Sequence, residues 1–407
     1  MILFEEALKI VMEQQVAPVF ENVSLTASLG RVLAADILSD IDMPPFEKSA
    51  VDGFACRLAD FDKMTKLSQT AGNYLPDSID TLEMVETIPA GKSPEKSTGP
   101  GQCAKIMTGA MVPDGADCVV MVEDTSEQPG MRVAFTKERT AKNICHRGED
   151  VRKGDVVLAR GLQVGPAHIA VLASVGAVNP LVYKLPAVGI ISTGDELVEP
   201  QETPGPAQIR NSNAWQLEAQ VLRVPAHPVY YGIASDESQS LRNIIEQALA
   251  GSDLVLLTGG VSMGDFDFVP VVMQEAGIEI LFKSVASQPG KPTVFGRRGK
   301  KYIFGLPGNP VSSFMLFELM VKPFLMKMTG HEMVAREFIL PMGSNYSRRR
   351  SDRKSMIPVR ILNGQIFPVD YHGSAHINAY TQADAVMIME IGTTNINQGE
   401  LVHVRPI

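Results

Sequence analysis

The sequence predicts a multidomain chain of the α/β plus β class, and three observations predict it. From Ala187 onward, apolar strand-like runs alternate with helical spacings, the pattern of a parallel sheet layered by helices. Between Asp52 and Phe135, short apolar runs are separated by Gly and Pro clusters, which reads as a small β-rich unit. Past His331 the texture changes again, to short runs without helical period, which reads as a small all-β C-terminal unit.

The elements follow in chain order. Leu3, Ala7, Leu8, Ile10 and Val11 recur at helical spacing and predict a helix over residues 3–15, and Pro44-Pro45 marks an extended connector. Residues 103–107, 118–122 and 131–135 are the strands expected in the β-rich unit. Residues 155–158 and the helical stretch 167–175 return to a mixed layer. Strands over 187–192, 227–231, 253–257 and 302–304 then alternate with helices over 213–222, 240–250, 268–276 and 310–328. In the second of these helices Leu241, Ile244, Ile245 and Leu249 share one face. The C-terminal runs are 338–340, 356–361, 385–389 and 401–404.

Composition bounds the partners. The chain has 407 residues, enough for two to four units at roughly 150 residues each. Hydrophobic residues make up 45% and charged residues 20%, an ordinary globular balance. A net charge of −9 supplies no long-range basic field, so neither nucleic acid nor membrane is an expected partner. The four cysteines form no Cys-x-x-Cys pair and are expected as reduced, structural thiols. The N-terminal stretch lacks a basic leader and the most apolar stretch, 167–178, is too short to span a bilayer, so a cytoplasmic protein is expected.

In an open α/β sheet, ligands bind beyond the carboxyl ends of the strands. The polar and glycine residues gather there: Gly194-Asp195-Glu196, Ser235-Asp236, Gly259-Gly260-Val261-Ser262-Met263-Gly264 with Asp267, and Pro289-Gly290-Lys291. Asn309-Pro310 reads as an N-cap and first helical residue whose free N–H groups face an anion, with Ser312 adding a hydroxyl. Taken singly, each segment is equally a tight turn, and Ser235-Asp236-Glu237-Ser238 is equally a helix cap; their convergence on one sheet edge is what points to a site. Glu196, Asp236 and Asp267 follow neighbouring strands, and carboxylates brought together there call for a hard cation such as Mg2+. Neither a dinucleotide fingerprint nor a phosphate-binding P-loop occurs.

These segments resemble a known family, the molybdopterin molybdenumtransferases, which includes bacterial MoeA and the E domain of gephyrin. The matching motifs run in family order: Pro45-Phe46-x-x-Ser49-Ala50-Val51-Asp52-Gly53-Phe54-Ala55, Ile106-Met107-Thr108-Gly109-Ala110, Arg147-Gly148-Glu149-Asp150, Ser192-Thr193-Gly194-Asp195-Glu196-Leu197, Asn211-Ser212-Asn213, Gly259-Gly260-Val261-Ser262-Met263-Gly264, Pro289-Gly290-Lys291-Pro292 and Leu306-Pro307-Gly308-Asn309-Pro310-Val311-Ser312. The resemblance implies an elongated, four-part chain. A helical linker domain is built from 1–47 and 144–180, a β-rich insertion domain spans 48–143, an α/β domain 181–330 and a C-terminal β-barrel 331–407. It implies a homodimer whose active site is shared between subunits, with Asp52 and Thr108 supplied across the dimer. The substrates implied are molybdate and adenylylated molybdopterin, and AMP is released. Mg2+ and phosphoanhydride activation fall to Glu196, Asp236 and Asp267, with Asp52 and Asp150 on the pterin side. Gly194, Asp195, Ser212, Gly259, Gly260, Gly264, Pro289, Pro307 and Pro310 complete the binding set. Oxyanion donors are Lys291, Ser312, Ser262, Arg353 and Ser374. Other molybdenum cofactor biosynthesis enzymes are possible partners in transfer.

Three departures from the family pattern stand out. Gln288 and Cys145 occupy positions where members often carry Lys and Arg, and Pro358 replaces the second Arg of the C-terminal motif that begins at Asp352-Arg353. Lys283, His146 and the Arg348-Arg349-Arg350 run are the nearby cations that compensate in such a reading. Two competing readings share the fold: an adenylyltransferase acting on molybdopterin, against which the extra β parts argue, and a non-catalytic dimeric scaffold, against which the retained acids argue.

Overall fold

A computed structural model describes residues 1–63, 81–137, 139–261, 269–331 and 337–407. The chain divides into two compact units. One holds residues 1–35, 160–169 and 179–407, and the other holds 36–159 and 170–178.

The second of these is organised around a six-stranded sheet. Its strands are β1 (Gly53–Cys56), β2 (Leu82–Ile88), β3 (Gln102–Ile106), β4 (Cys118–Met121), β5 (Thr125–Gln128) and β6 (Arg132–Phe135), in the order β4-β1-β3-β2-β6-β5. All neighbours pair antiparallel except β2 with β3. Cys56, Cys103 and Cys118 fall in register across β3, β1 and β4, fully buried with Phe54 and Val120, and the Cys56 and Cys118 sulfurs lie 3.6 Å apart. Burial pushes the Cys103 thiol up to about 12, so it is a protonated core group.

The larger unit contains α1 (Phe4–Met12) and the predicted α/β layer, and the helical stretch expected at 167–175 is α2 (Pro166–Ser174). The strands of this layer are β7 (Ala187–Thr193), β8 (His227–Ala234), β9 (Leu254–Thr258), β10 (Glu279–Phe282), then β12 (Val294–Arg298) and β13 (Lys301–Leu306), with β11 (Ser287–Gln288) set apart. The sheet order is β8-β7-β9-β13-β12-β10. The expected parallel sheet is therefore mixed. Four strands are parallel, but β12 and β10 are antiparallel additions at one edge. The reason lies in connection length: only Gly299 and Lys300 separate β12 from β13, which permits a hairpin and excludes a crossover.

Strands β7, β9 and β13 are apolar on both faces because helices cover both, whereas β8 at the sheet edge is mostly half-buried. Leu254 and Leu256 point into one core layer with Val188, Ile190 and Phe304, while Val255 and Leu257 point into the other with Ile191 and Ile303. The first layer is closed by α1, α3 (Asn213–Leu222) and the helical stretch 310–328, where α6 (Pro310–Leu316) and α7 (Lys322–Met328) flank a π turn. Phe295 packs there against Phe304 at 4.5 Å and edge-on to Phe324 at 6.0 Å between ring centroids. The second layer is closed by α4 (Ser238–Gly251) and α5 (Val269–Glu275). In α4, Leu241, Ile245 and Leu249 are buried as the spacing predicted, Ile244 is half-buried, and Ala248 joins them. The N-cap position of this helix is Glu237, inside the segment 235–238, and its side chain makes no cap bond.

The C-terminal strands β14 (Phe338–Pro341), β15 (Lys354–Leu362), β16 (Gln365–Pro368), β17 (Ala385–Met389) and β18 (Leu401–Pro406) form a sheet in the order β11-β15-β17-β18-β14, with β16 on β15. Strand β11 pairs Ser287 with Lys354 and Gln288 with Ser355, tying the loop between β10 and β12 to this sheet. Among the described residues no helix is long and apolar enough to cross a membrane.

Candidate active site

Strand order dictates where a ligand can sit. The chain runs from β7 outward to β8, then crosses to β9 on the opposite side of β7, so the strand order reverses beside β7. At such a reversal the connecting loops diverge and leave a crevice at the carboxyl ends. A cavity of about 750 Å³ lies there, between the ends of β7, β8, β9 and β13. Predicted residues Gly194, Glu196, Ser212, Asp236, Gly259, Gly260, Pro307 and Pro310 all line it.

Two glycines make the crevice possible. Gly259 has φ +99°, and a Cβ there would lie 2.4 Å from the Thr193 carbonyl oxygen. Gly194 has φ +141°, and a Cβ would lie 2.5 Å from a Glu196 carboxylate oxygen. Both positions are therefore closed to other residues, and the loops after β7 and β9 can lie against one another.

The walls are fixed by a polar network. Ser192 Oγ donates to Asn211 Oδ1 at 3.0 Å, Asn211 Nδ2 donates to the Tyr230 hydroxyl at 2.9 Å, and that hydroxyl donates to Glu199 at 2.7 Å. Burial and the Glu199 carboxylate raise the Tyr230 pKa, so it remains a donor. Asn213 Nδ2 donates to Thr258 Oγ1 at 2.9 Å and to the Gly308 carbonyl at 2.7 Å. Two buried atoms at this cavity, Thr193 Oγ1 and Asn213 Oδ1, have no partner among the described residues, which suits a site completed by a polar ligand. Asn211, Asn213 and Thr258 were not singled out from sequence as site residues. Their signal was present, as polar residues at a helix start and a strand end.

The carboxylates are set differently from one another. Asp236 receives support through its backbone N–H, which donates to Asp195 Oδ1 at 3.1 Å, while its side chain and that of Glu196 line the cavity. Ser262, Gly264 and Asp267 lie outside the described residues. Among the described residues no group of three His, Cys, Asp or Glu side chains is arranged to hold a metal. The two hard oxygen donors present fit Mg2+, which binds through one or two carboxylates plus ligand phosphates and water.

One expectation needs correction. The start of α6 is not a set of free N–H groups facing an anion: the Val311 N–H donates to the Ser374 carbonyl at 3.1 Å, and Ser312 N–H to Asn309 at 3.0 Å. Asn309 does occupy the N-cap position, but its side chain makes no cap bond, and the Ser312 side chain is buried.

A second cavity, of about 410 Å³, has the opposite character. Arg348, Arg349, Arg350, Arg353 and His372 line it beside Gln288, with no described Asp or Glu. The two cavities share no lining residue, but the same two segments serve both: Gln288 and Gly373 line the second, while Pro292 and Ala375 line the first. Pro289, Lys291 and Ser374 therefore stand on the segments between them. Among the described residues Arg353 is the only predicted oxyanion donor lining the cationic cavity, and its Nε lies 3.6 Å from Asp352. Lys283 does not line it, and His146 pairs instead with Glu47 at 2.7 Å in the other unit.

Asp52, Thr108 and Asp150 belong to that other unit as well. The Thr108 backbone N–H donates to Asp52 Oδ1 at 2.6 Å and its hydroxyl to the same oxygen at 2.8 Å, which holds the Asp52 pKa below the usual carboxylate range. Gly109, at φ +80°, turns the chain after Thr108 so that this contact forms at the end of β3.

Comparison with known proteins agrees along the whole chain. The family described as MoeA N-terminal region (domain I and II) matches residues 2–176, and that described as a probable molybdopterin binding domain matches residues 189–327. A molybdopterin molybdenumtransferase of Bacillus subtilis is 36% identical over 417 residues, covering 98% of this chain and 93% of the relative. One from Staphylococcus epidermidis is 34% identical over 407 residues, covering 98% and 94%. The crystal structure of a molybdopterin biosynthesis MoeA protein from Pyrococcus horikosii superposes with a TM-score of 0.85 at 30% identity, covering 100% of this chain and 98% of that one. On sequence and on fold, this chain belongs to the molybdopterin molybdenumtransferase family.

Proposed function

We propose that the chain transfers molybdate into adenylylated molybdopterin, releasing AMP and completing the molybdenum cofactor. The observation that carries this reading is a pair of cavities lined in part by the same two segments, 288–292 and 373–375. One is polar, carries carboxylates and lies at the strand ends; the other is lined by guanidinium groups. A phosphoanhydride substrate with its metal suits the first, and a tetrahedral dianion suits the second.

In this mechanism the Gly259–Gly260 turn lets the adenylylated substrate approach the backbone, and the Asn211 and Asn213 networks hold the walls rigid. Glu196 and Asp236, with Asp267, would hold Mg2+, which when bound polarises a phosphoryl oxygen and offsets its charge. Arg353 holds the oxyanion by charge-assisted hydrogen bonds, and Ser374 and Lys291 stand where the two substrates meet. Two Mo–S bonds form as one molybdate oxygen leaves with the two thiol protons as water, and one water adds to phosphorus as the anhydride P–O bond breaks and AMP departs. Asp52, Thr108 and Asp150 serve the pterin side from the second subunit of a homodimer. The four-part layout with a closed C-terminal barrel, a cytoplasmic setting and transfer from other enzymes of the same synthesis belong to the same reading.

The test is AMP release by the full-length protein from adenylylated molybdopterin with Mg2+. Release that depends on molybdate is expected; release indifferent to molybdate overturns the reading. For the dimer, mixing Asp52→Ala with Glu196→Gln subunits should regain up to about a quarter of wild-type rate, since mixed dimers keep one intact site. No regain contradicts a shared site.

A further inference from the structure

We propose that the loop 348–353 is a preorganised oxyanion clamp in which Arg349 and Arg350 bind the dianionic substrate and Arg348 is the positioning residue. The proposal rests on the molybdate reading of the second cavity. Three consecutive arginines ordinarily form a solvated face, but here they divide into two kinds.

Arg348 turns inward. Its Nε donates to the Thr393 carbonyl at 2.7 Å, Nη1 to the Arg353 carbonyl at 2.9 Å and to Ser355 Oγ, and Nη2 to the Glu390 carbonyl at 2.6 Å. Its backbone N–H donates to Thr394 at 2.8 Å, and the Gly392 N–H donates to Ser351 at 2.8 Å. The bond to Arg353 closes the loop on itself, and the others fasten it to the strand ends of the C-terminal sheet. Five N–H groups in a planar fork make this possible; a lysine ammonium cannot serve four acceptors in that geometry.

Arg349 and Arg350 are exposed, line the cavity, and have no ion pair or hydrogen bond among the described residues. Arg353 lies at the other end of the same loop. Several guanidinium groups around one concavity without a carboxylate repel one another, and a tetrahedral oxyanion accepting paired N–H bonds relieves that repulsion. A loop held beforehand loses little entropy when the anion arrives. Gln288, paired with Ser355, adds a neutral side chain to the lining, so the permanent charge in this cavity comes from the loop.

The experiment uses the full-length enzyme in the AMP-release assay, with sodium molybdate as the titrated probe and calorimetric binding of molybdate alone at low and high salt. In the Arg349→Gln/Arg350→Gln double variant, KM and Kd for molybdate should rise roughly tenfold or more, with a smaller fall in kcat and a flatter salt dependence. Arg348→Gln and Arg348→Lys should both raise KM for molybdate while leaving KM for adenylylated molybdopterin in place. An unchanged molybdate KM in the double variant overturns the clamp. Arg348 variants that raise both KM values alike, or rescue by Arg348→Lys, overturn the positioning role. Each of these outcomes leaves molybdate-dependent turnover standing, whereas a wild-type enzyme indifferent to molybdate removes the reading beneath.

Discussion

The two cavities of the larger unit are built by opposite means. The first is made by topology: strands end, loops part at the reversal beside β7, and glycines admit a ligand to the backbone. Its described charges are two carboxylates and Arg210, whose Nε is engaged by the Glu202 carbonyl at 3.1 Å. The second is made by side chains: arginines on a loop tied down by one of their own number. An anhydride substrate with its metal and a bare oxyanion need opposite electrostatics, and separate cavities supply both without mutual cancellation.

Removing charge from the first cavity should have the largest effect. Glu196→Gln is expected to lower kcat on the order of 10²-fold, with molybdate affinity nearly unchanged, measured by AMP release and calorimetry. A comparable loss of molybdate binding would show that the cavities act as one electrostatic unit. Gly259→Ala comes next. Its Cβ would meet the Thr193 carbonyl at 2.4 Å on a left-handed backbone, so a stability loss of about 1–3 kcal/mol is expected by denaturant unfolding. A neutral result would mean that the crevice is looser than its walls imply. The smallest effect concerns the other unit. The Thr108 N–H, then its hydroxyl, depress the Asp52 pKa. The contact is therefore fully present above the unfolded carboxylate pKa and is lost as pH falls through the lower folded value. Carbonyl-carbon NMR should show Asp52 titrating below ordinary aspartates, and Thr108→Val should return it toward them.

How far the sequence could be read follows the same division. Strands β7, β9 and β13 were legible because burial on both faces makes their apolar runs continuous. The half-buried edge strand β8 shows only a short apolar run, and Ser235 follows it as Thr193 and Thr258 close β7 and β9. The antiparallel edge was not. Glu279–Phe282 is short and half-buried, and the segment before Val294 drew attention as a ligand loop rather than as a link between strands. Strand Leu82–Ile88 was missed because Glu83 and Glu86 interrupt its apolar pattern. In the site, Glu196 and Asp236 were found because the strand-end rule is local in sequence. Arg348 could not be found that way, because its four acceptors lie on Arg353, Ser355, Glu390 and Thr393, and only the folded C-terminal sheet brings these together.

The central claim is spatial: anhydride and oxyanion occupy two separate cavities, to both of which the segments 288–292 and 373–375 contribute. A crystal of the full-length protein soaked with AMP, Mg2+ and molybdate, measured at the molybdenum absorption edge, tests it most directly. The account predicts AMP phosphate at Glu196 and Asp236, and an anomalous peak among Arg349, Arg350 and Arg353. Molybdenum bound elsewhere while the arginine cavity stays empty, or AMP held away from the strand ends, would contradict it.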